Sequence, residues 1–124
     1  MIDLRLSARR HAGVEVVEVG GELDAVTKAQ LDRFLTAYFN GPDERVVLDL
    51  SGVTFMDSGS LGLIVDHYKR ADAAGGRLAL AGVSPSRMQV LWLTGLADWL
   101  PLYADVDAAL LALARPPGSA AGLG

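Results

Sequence analysis

The short segment Phe55-Met56-Asp57-Ser58-Gly59-Ser60-Leu61-Gly62 contains the residues best suited to chemistry. It lies between an apolar run and an amphipathic stretch, so we expect it at the carboxyl end of a strand, where open α/β sheets carry their sites. Asp57 and Ser58 are both favourable helix N-cap residues, and a helix N-terminus favours negative charge. A serine there can carry a phosphate with its charge partly compensated. The simpler alternative is that both residues only cap the helix.

Catalysis by a serine of this segment is a weaker hypothesis. Residues 58–62 differ from the G-x-S-x-G nucleophile elbow at the first position, but a nucleophilic Ser60 needs a histidine and an acid in reach. His67 is only seven residues further along the same predicted helix, and His11 precedes the motif in a predicted hairpin. Both histidines are interpreted as surface or boundary residues. We therefore predict that the chain is not an enzyme, and keep a small serine enzyme as an alternative.

Cofactor and metal sites have equally little support. Neither a G-x-x-x-x-G-K-[ST] loop nor a G-x-G-x-x-G loop is present, so no cofactor is predicted. Glu22, Asp24 and Asp57 could form an acidic mouth for a metal ion, but acidic loop residues are usually solvated turns. No metal site is therefore predicted.

Composition narrows the function classes further. The chain has 124 residues, no cysteine, two histidines and a formal net charge of -4. Without cysteine there can be no disulfide, thiolate-bound zinc, iron–sulfur cluster or thiol nucleophile. The chain is net acidic and therefore lacks the basic surface that is typical of nucleic-acid-binding proteins. No signal sequence opens the chain, and the apolar stretch 90–114 is broken by charges, glycine and proline, which predicts no membrane insertion and a cytoplasmic location.

Period-two patterns predict an N-terminal hairpin. Apolar residues alternate with polar ones at Ile2, Leu4, Leu6 and Ala8, which indicates a strand with one buried face. His11-Ala12-Gly13 is a predicted turn, and residues 14–19 form a second β-rich run.

Helical and strand patterns then alternate along the rest of the chain. Predicted helices begin at Thr27, where Gln30 has capping-box spacing, after Asp57, at Ser84-Pro85 and at Asp105. Glycine and proline end the first two, at Asn40-Gly41-Pro42 and Gly75-Gly76. The expected apolar stripes are Leu31, Phe34, Leu35 and Tyr38 in the first helix and Leu61, Ile64, Val65 and Tyr68 in the second. Predicted strands lie at 46–50, 77–81 and 102–103.

The order β-β-α-β-α-β-α-β-α predicts an α/β fold: an open, mainly parallel sheet with an antiparallel hairpin at its edge and helices packed around it. We assign residues 1–114 to a single domain. Residues 115–124, rich in proline, glycine and alanine, are predicted to be a disordered tail.

Four segments together resemble the STAS domain, in particular the stand-alone bacterial anti-sigma factor antagonists. Residues 21–31 resemble that family's G-E-L-D-x-x-T-x-x-x-L segment, and residues 46–58 resemble its central strand and switch loop. Leu61-Gly62-Leu63-Ile64 is similar to the helix that follows the loop. Ser84-Pro85 and Gly95-Leu96 resemble the two ends of the S-P-x-x-x-x-L-x-x-x-G-L pattern, with one additional residue before the leucine in this chain. The resemblance covers nearly all of residues 1–114 and implies a STAS-like fold.

The resemblance implies a partner-switching protein. Such an antagonist binds a kinase-type anti-sigma factor, which then releases its sigma factor; the kinase phosphorylates the antagonist's loop, and a metal-dependent serine phosphatase resets it. The implied partner-binding residues are Gly21, Glu22, Asp24, Asp57, Ser58, Gly59, Leu61 and Gly62. The alternative is a non-phosphorylated STAS adaptor subunit of a transporter ATPase or signalling assembly. A homodimer through the exposed hairpin edge is a further option.

The phosphoacceptor candidates are Ser58 and Ser60, because the sequence departs from the family at one position. The family loop reads D-S-[ST]-G-L-G with the acceptor third, whereas Gly59 stands third here. Successive helical residues turn by about 100°, so Ser58 and Ser60 point about 200° apart. Ser58 is preferred since it keeps its register beside Asp57.

Overall fold

The described part of the chain forms a five-stranded sheet whose strands lie side by side in sequence order. The computed structural model describes residues 4–39 and 41–114. The strands are β1 (Arg5–His11), β2 (Val14–Leu23), β3 (Arg45–Met56), β4 (Arg77–Ala81) and β5 (Leu102–Tyr103). The helices are α1 (Lys28–Tyr38), α2 (Ser58–Ala73), α3 (Gln89–Leu93) and α4 (Val106–Leu113), with a 3₁₀ turn at Leu96–Asp98 between α3 and β5.

This architecture confirms the predicted fold class. β1 and β2 pair antiparallel, and β2 through β5 pair in parallel. No helix of the described ranges is long and apolar enough to cross a bilayer. The assignment of residues 1–114 to one domain remains a prediction, and the predicted tail, residues 115–124, lies outside the described residues.

The two faces of the sheet carry separate apolar cores. From β2 to β5 each strand lies next to the preceding one, always on the same side. Right-handed crossovers in such a series place all the connecting helices on one face of the sheet. The larger core lies there and includes Leu31 and Leu35 of α1 and Leu61 and Ile64 of α2. α4 packs on the other face, against Val14, Val16, Val47, Ala79 and Ala81 of the sheet. The central strands are therefore buried on both sides, which explains their nearly continuous apolar sequence.

Several predicted boundaries are confirmed by local geometry. Ala12 and Gly13 both have positive φ, as a tight hairpin turn requires. Gly75, at φ +83°, follows the end of α2. Asp105 caps α4, because its carboxylate accepts a hydrogen bond from the Ala108 N–H at 2.8 Å.

Three expectations about burial and boundaries were wrong. Ala8 is exposed because β1 is an edge strand, and Tyr38 is 63% exposed at the end of α1. The third helix does not begin at Ser84-Pro85: the Ser84 carbonyl accepts from the Met88 N–H at 2.8 Å, closing one turn, but Met88 has φ -126° and ψ 48°. Its side chain is fully buried, and the regular helix begins only at Gln89.

Candidate functional site

The candidate site consists of two loops at neighbouring carboxyl ends of the parallel sheet. One loop leads from β2 into α1, and the other leads from β3 into α2. Leu23 and Met56 are register partners at the ends of their strands. The Asp57 N–H donates to the Leu23 carbonyl at 3.0 Å and so joins the two loops directly. The topology thus brings together the two sequence segments that were predicted to form the site.

The first loop is held by a compact set of hydrogen bonds around Asp24. Its carboxylate accepts from the backbone N–H groups of Val26, at 2.9 Å, and Thr27, at 3.0 Å. The Thr27 hydroxyl donates to the Glu22 carbonyl and accepts from the Asp24 N–H. The predicted capping box is wrong, because the Gln30 side chain instead accepts from the Leu4 N–H at 3.1 Å.

The pKa of Asp24 lies below its ordinary value of 3.8. The Thr27 backbone N–H is the largest cause, and the Val26 N–H and the Thr27 hydroxyl act in the same direction. Hydrogen bonds to the ionised carboxylate stabilise that form. Asp24 is therefore a charged residue that fixes the loop, as well as a contributor to the acidic surface.

In the second loop, the two phosphoacceptor candidates differ in their exposure to solvent. Asp57 caps α2, since its carboxylate accepts from the Ser60 N–H at 2.8 Å. Ser58 is the first residue of the helix and is exposed. Ser60 is fully buried, and its hydroxyl has no hydrogen-bond partner among the described residues. The serines therefore lie on opposite sides of the helix start, as the predicted angle between them requires.

The absence of a side chain at Gly59 leaves space for the ammonium group of Lys28. A Cβ placed on Gly59 would lie 3.2 Å from the Lys28 ammonium nitrogen and 3.7 Å from Asp57 Oδ1. The Lys28 side chain thus reaches from the start of α1 to the start of α2. It occupies part of the space that a side chain at position 59 would need.

The remaining predicted site residues are divided between surface and interior. Glu22 and Gly62 are exposed. Gly21 is buried and has φ +112°, a conformation that favours glycine. Leu61 is only 1% exposed and belongs to the larger core, so its side chain offers no surface to a partner.

Two exposed apolar residues beside these loops were missed by the sequence analysis. Val26, in the first loop, is 59% exposed, and Phe55, just before the second loop, is 47% exposed. Neither belongs to a helical stripe, so periodicity gave no signal for them. Their position directly beside the two loops is the available signal, because exposed large apolar residues around a polar site are typical of interaction surfaces.

His67 is not a surface or boundary residue, contrary to the sequence interpretation. It is only 8% exposed, and its Nε2 lies 2.8 Å from Asp32 Oδ1 of α1. Because Asp32 satisfies the ring nitrogen, the histidine can be buried between the two helices. The Ser60 hydroxyl has no such partner, so the serine–histidine contact that a nucleophilic serine needs is not formed in the described residues.

Within residues 4–39 and 41–114, no three histidine, aspartate or glutamate side chains are grouped closely enough to hold an ion. The carboxylates of Asp24 and Asp57 instead accept hydrogen bonds from backbone N–H groups.

Comparisons with known proteins point to one family. The model of the STAS domain matches residues 5–109. An anti-sigma F factor antagonist of Paenibacillus polymyxa is 34% identical over 106 residues, covering 82% of this chain and 88% of that protein. An anti-sigma-B factor antagonist of Staphylococcus aureus is 35% identical over 82 residues, covering 66% and 76%. Among solved structures, an anti-sigma factor antagonist from Mycobacterium paratuberculosis aligns with a TM-score of 0.78 and 32% identity, covering 90% of this chain and 95% of that one.

Proposed function

The chain belongs to the STAS domain family, and from this premise we propose that it is an anti-sigma factor antagonist. In this role it binds a kinase-type anti-sigma factor in the cytoplasm and thereby causes release of a sigma factor. It acts by binding and performs no catalysis of its own. Phosphorylation of Ser58 ends the interaction, and a metal-dependent serine phosphatase restores it.

The exposure of Ser58 at the start of α2 is the observation that carries the proposal. The hydroxyl is accessible to a kinase, whereas the neighbouring Ser60 is fully buried. Ser58 also directly follows Asp57, whose carboxylate caps α2, and so stands one residue before the position of the family acceptor. This geometry supports Ser58 over Ser60 as the acceptor.

The surface around Ser58 explains how one phosphate could control binding. Val26 and Phe55 provide exposed apolar area, and Glu22 contributes an exposed charge. A docked partner covers this area and removes water from it. A phosphate on Ser58 adds about -1.5 to -2 charges, which are costly to desolvate next to Asp57. Phosphorylation therefore favours the dissociated state.

The buried residues of the site support this surface from beneath. Leu61 anchors the first turn of α2 in the core, and Gly21 adopts the positive φ found at the register shift between β2 and β3. Asp24 holds the first loop through its hydrogen bonds. We assign these three residues a positioning role and assign partner contact to the exposed residues.

A binding experiment tests the proposal. The purified cognate complex of anti-sigma factor and sigma factor is mixed with the protein, and sigma factor release is followed by gel filtration. We expect release by the wild type, and affinity lowered by about tenfold or more in Ser58→Asp, since a like charge or desolvated charge at an interface costs several kcal/mol. Thr36→Asp introduces the same charge at an exposed position near the C-terminal end of α1, the end opposite the two loops, and should alter affinity by less than about twofold. Absence of binding and release would contradict the proposal.

A second candidate function is favoured by Gly59. Glycine at the family's acceptor position has no hydroxyl to modify, which favours a STAS adaptor subunit that docks permanently on a transporter ATPase or a signalling assembly. Such an adaptor would bind its partner equally well with and without ATP.

A further inference from the structure

The outer edge of β1 is an unoccupied strand edge in the described part of the chain. β1 pairs with β2 on one side and has no neighbour on the other. Its register with β2 runs without a bulge from Arg5, opposite Gly20, to His11, opposite Val14. The strand contains no proline. A regular edge of seven residues is able to accept a further strand.

The hairpin geometry identifies which backbone groups face outward. Ala12 and Gly13, with φ 54° and 78°, form a two-residue loop. In such hairpins the residues that flank the loop form a hydrogen-bonded pair, and such pairs then alternate along the strands. The N–H and C=O groups of Leu6, Ala8 and Arg10 are therefore directed to the outer edge.

The side chains of β1 give this edge a positive charge. The chain has a net charge of -4, yet β1 contains three arginines and no carboxylate. The Arg5 guanidinium lies over Gly20 and is directed inward, toward Gly52 of β3. Arg9 is on the same face, is exposed, and forms no salt bridge within residues 4–39 and 41–114. Arg10, on the opposite face, pairs with Glu15 at 2.7 Å while remaining 65% exposed.

The two faces of the edge differ in chemistry. Side chains alternate between faces along a strand, so Arg5 and Arg9 share one face with Ser7. Leu6 and Ala8 share the other face, where Leu6 packs against the larger core. A complementary strand therefore places acidic side chains on the first face and apolar side chains on the second.

We propose that the β1 edge binds an extended acidic segment of a partner protein, with alternating acidic and apolar residues, as a sixth strand of the sheet. Backbone hydrogen bonds would form with Leu6, Ala8 and Arg10, and a carboxylate would pair with Arg9. A second copy of this chain fits less well, because symmetric antiparallel pairing centred on Ala8 places Arg9 opposite Ser7 and Arg10 opposite Leu6, so neither arginine gains an acidic partner across the strands. The edge lies outside the two loops of the candidate site, so this inference does not depend on the proposed function.

A peptide titration tests the proposal. The probe is an acetylated and amidated peptide in which Glu and Val alternate over about eight residues, a length that matches the strand. We expect it to shift the NMR amide signals of Leu6, Ala8 and Arg10 in the ¹⁵N-labelled full chain and to slow their hydrogen exchange about tenfold or more. A peptide with Lys in place of Glu should produce neither effect. Shifts confined to other elements would overturn the proposal.

Charge variants distinguish peptide binding at the β1 edge from nonspecific electrostatic attraction between the peptide and the protein. Arg9→Glu should weaken peptide binding about tenfold or more, whereas Arg33→Glu, the same change at an exposed position of α1, should change it less than about twofold. Equal losses in the two variants would contradict the proposal.

Ala8→Pro provides an independent test of the backbone contacts. It removes one outward N–H while leaving the hydrogen bonds to β2 in place, so it should abolish binding. If circular dichroism shows that Ala8→Pro does not fold, the comparison of Arg9→Glu with Arg33→Glu tests the proposal instead. Light scattering and hydrogen exchange without peptide test the alternative occupant. If the protein is a dimer and its outward β1 amides are protected from exchange, the edge is occupied by a second copy and the proposal is overturned.

Discussion

Replacing Ser60 with alanine should stabilise the protein, although the residue belongs to the loop motif of the candidate site. Its hydroxyl is fully buried and has no hydrogen-bond partner among the described residues. A buried polar group without a partner costs about 1–3 kcal/mol. Small packing losses offset part of this gain, so we expect the unfolding free energy to rise by about 1–2 kcal/mol.

Urea unfolding followed by far-ultraviolet circular dichroism measures this change. For a domain of this size the slope is at the low end of about 1–3 kcal/mol per molar urea, so the midpoint should rise by about 1 M. Ser58→Ala is the matched control, and as an exposed change it should stay within about 0.5 kcal/mol of the wild type. A loss of stability above about 0.5 kcal/mol in Ser60→Ala would show that the hydroxyl has a partner and would refute the reasoning.

Three further outcomes follow from the geometry. Asp57→Ala removes the cap on the Ser60 N–H and should lower the unfolding free energy by about 1 kcal/mol in the same urea assay. Gly76→Ala places a Cβ in steric conflict with the Glu44 carbonyl oxygen, so thermal unfolding should reveal a loss of roughly 3 kcal/mol, and an unchanged midpoint would contradict the contact. Because the folded pKa of Asp24 is lowered, its contribution is present above pH 3.8 and is lost as the pH falls through the lower folded value. The stability difference between wild type and Asp24→Asn should therefore shrink in urea titrations below that pH, and a constant difference would exclude the carboxylate as its cause.

The fold was predictable because each element has a local signal. Apolar periodicity changes from two to 3.6 at the strand-to-helix transitions, and glycine or proline marks the turns between them. Asp105, for example, is a cap that sequence alone identifies, and the structure places α4 directly after it. Met88 shows the limit of such signals: its burial in the core interrupts the helix that Ser84-Pro85 would otherwise begin.

The interior of the site was less predictable, because burial of polar residues depends on partners distant in sequence. The stripe expected for α2 omitted Ser60 and His67, yet both are buried. His67 can be buried because Asp32, 35 residues earlier in the chain, supplies its hydrogen bond. Ser60 differs from His67, because its hydroxyl is buried without a partner and only its N–H is held, by Asp57 three residues earlier. A hydrophobic pattern carries no information about such contacts.

Mapping the phosphate tests the central claim, that a modification of Ser58 controls this surface. The protein is incubated with its cognate kinase-type anti-sigma factor and ATP, and the added phosphate is located by mass spectrometry. We predict one phosphate on Ser58, abolished in Ser58→Ala and retained in Ser60→Ala, together with dissociation of the modified protein from the kinase. Phosphate on Ser60, or no phosphate while binding persists in the presence of ATP, would contradict the account.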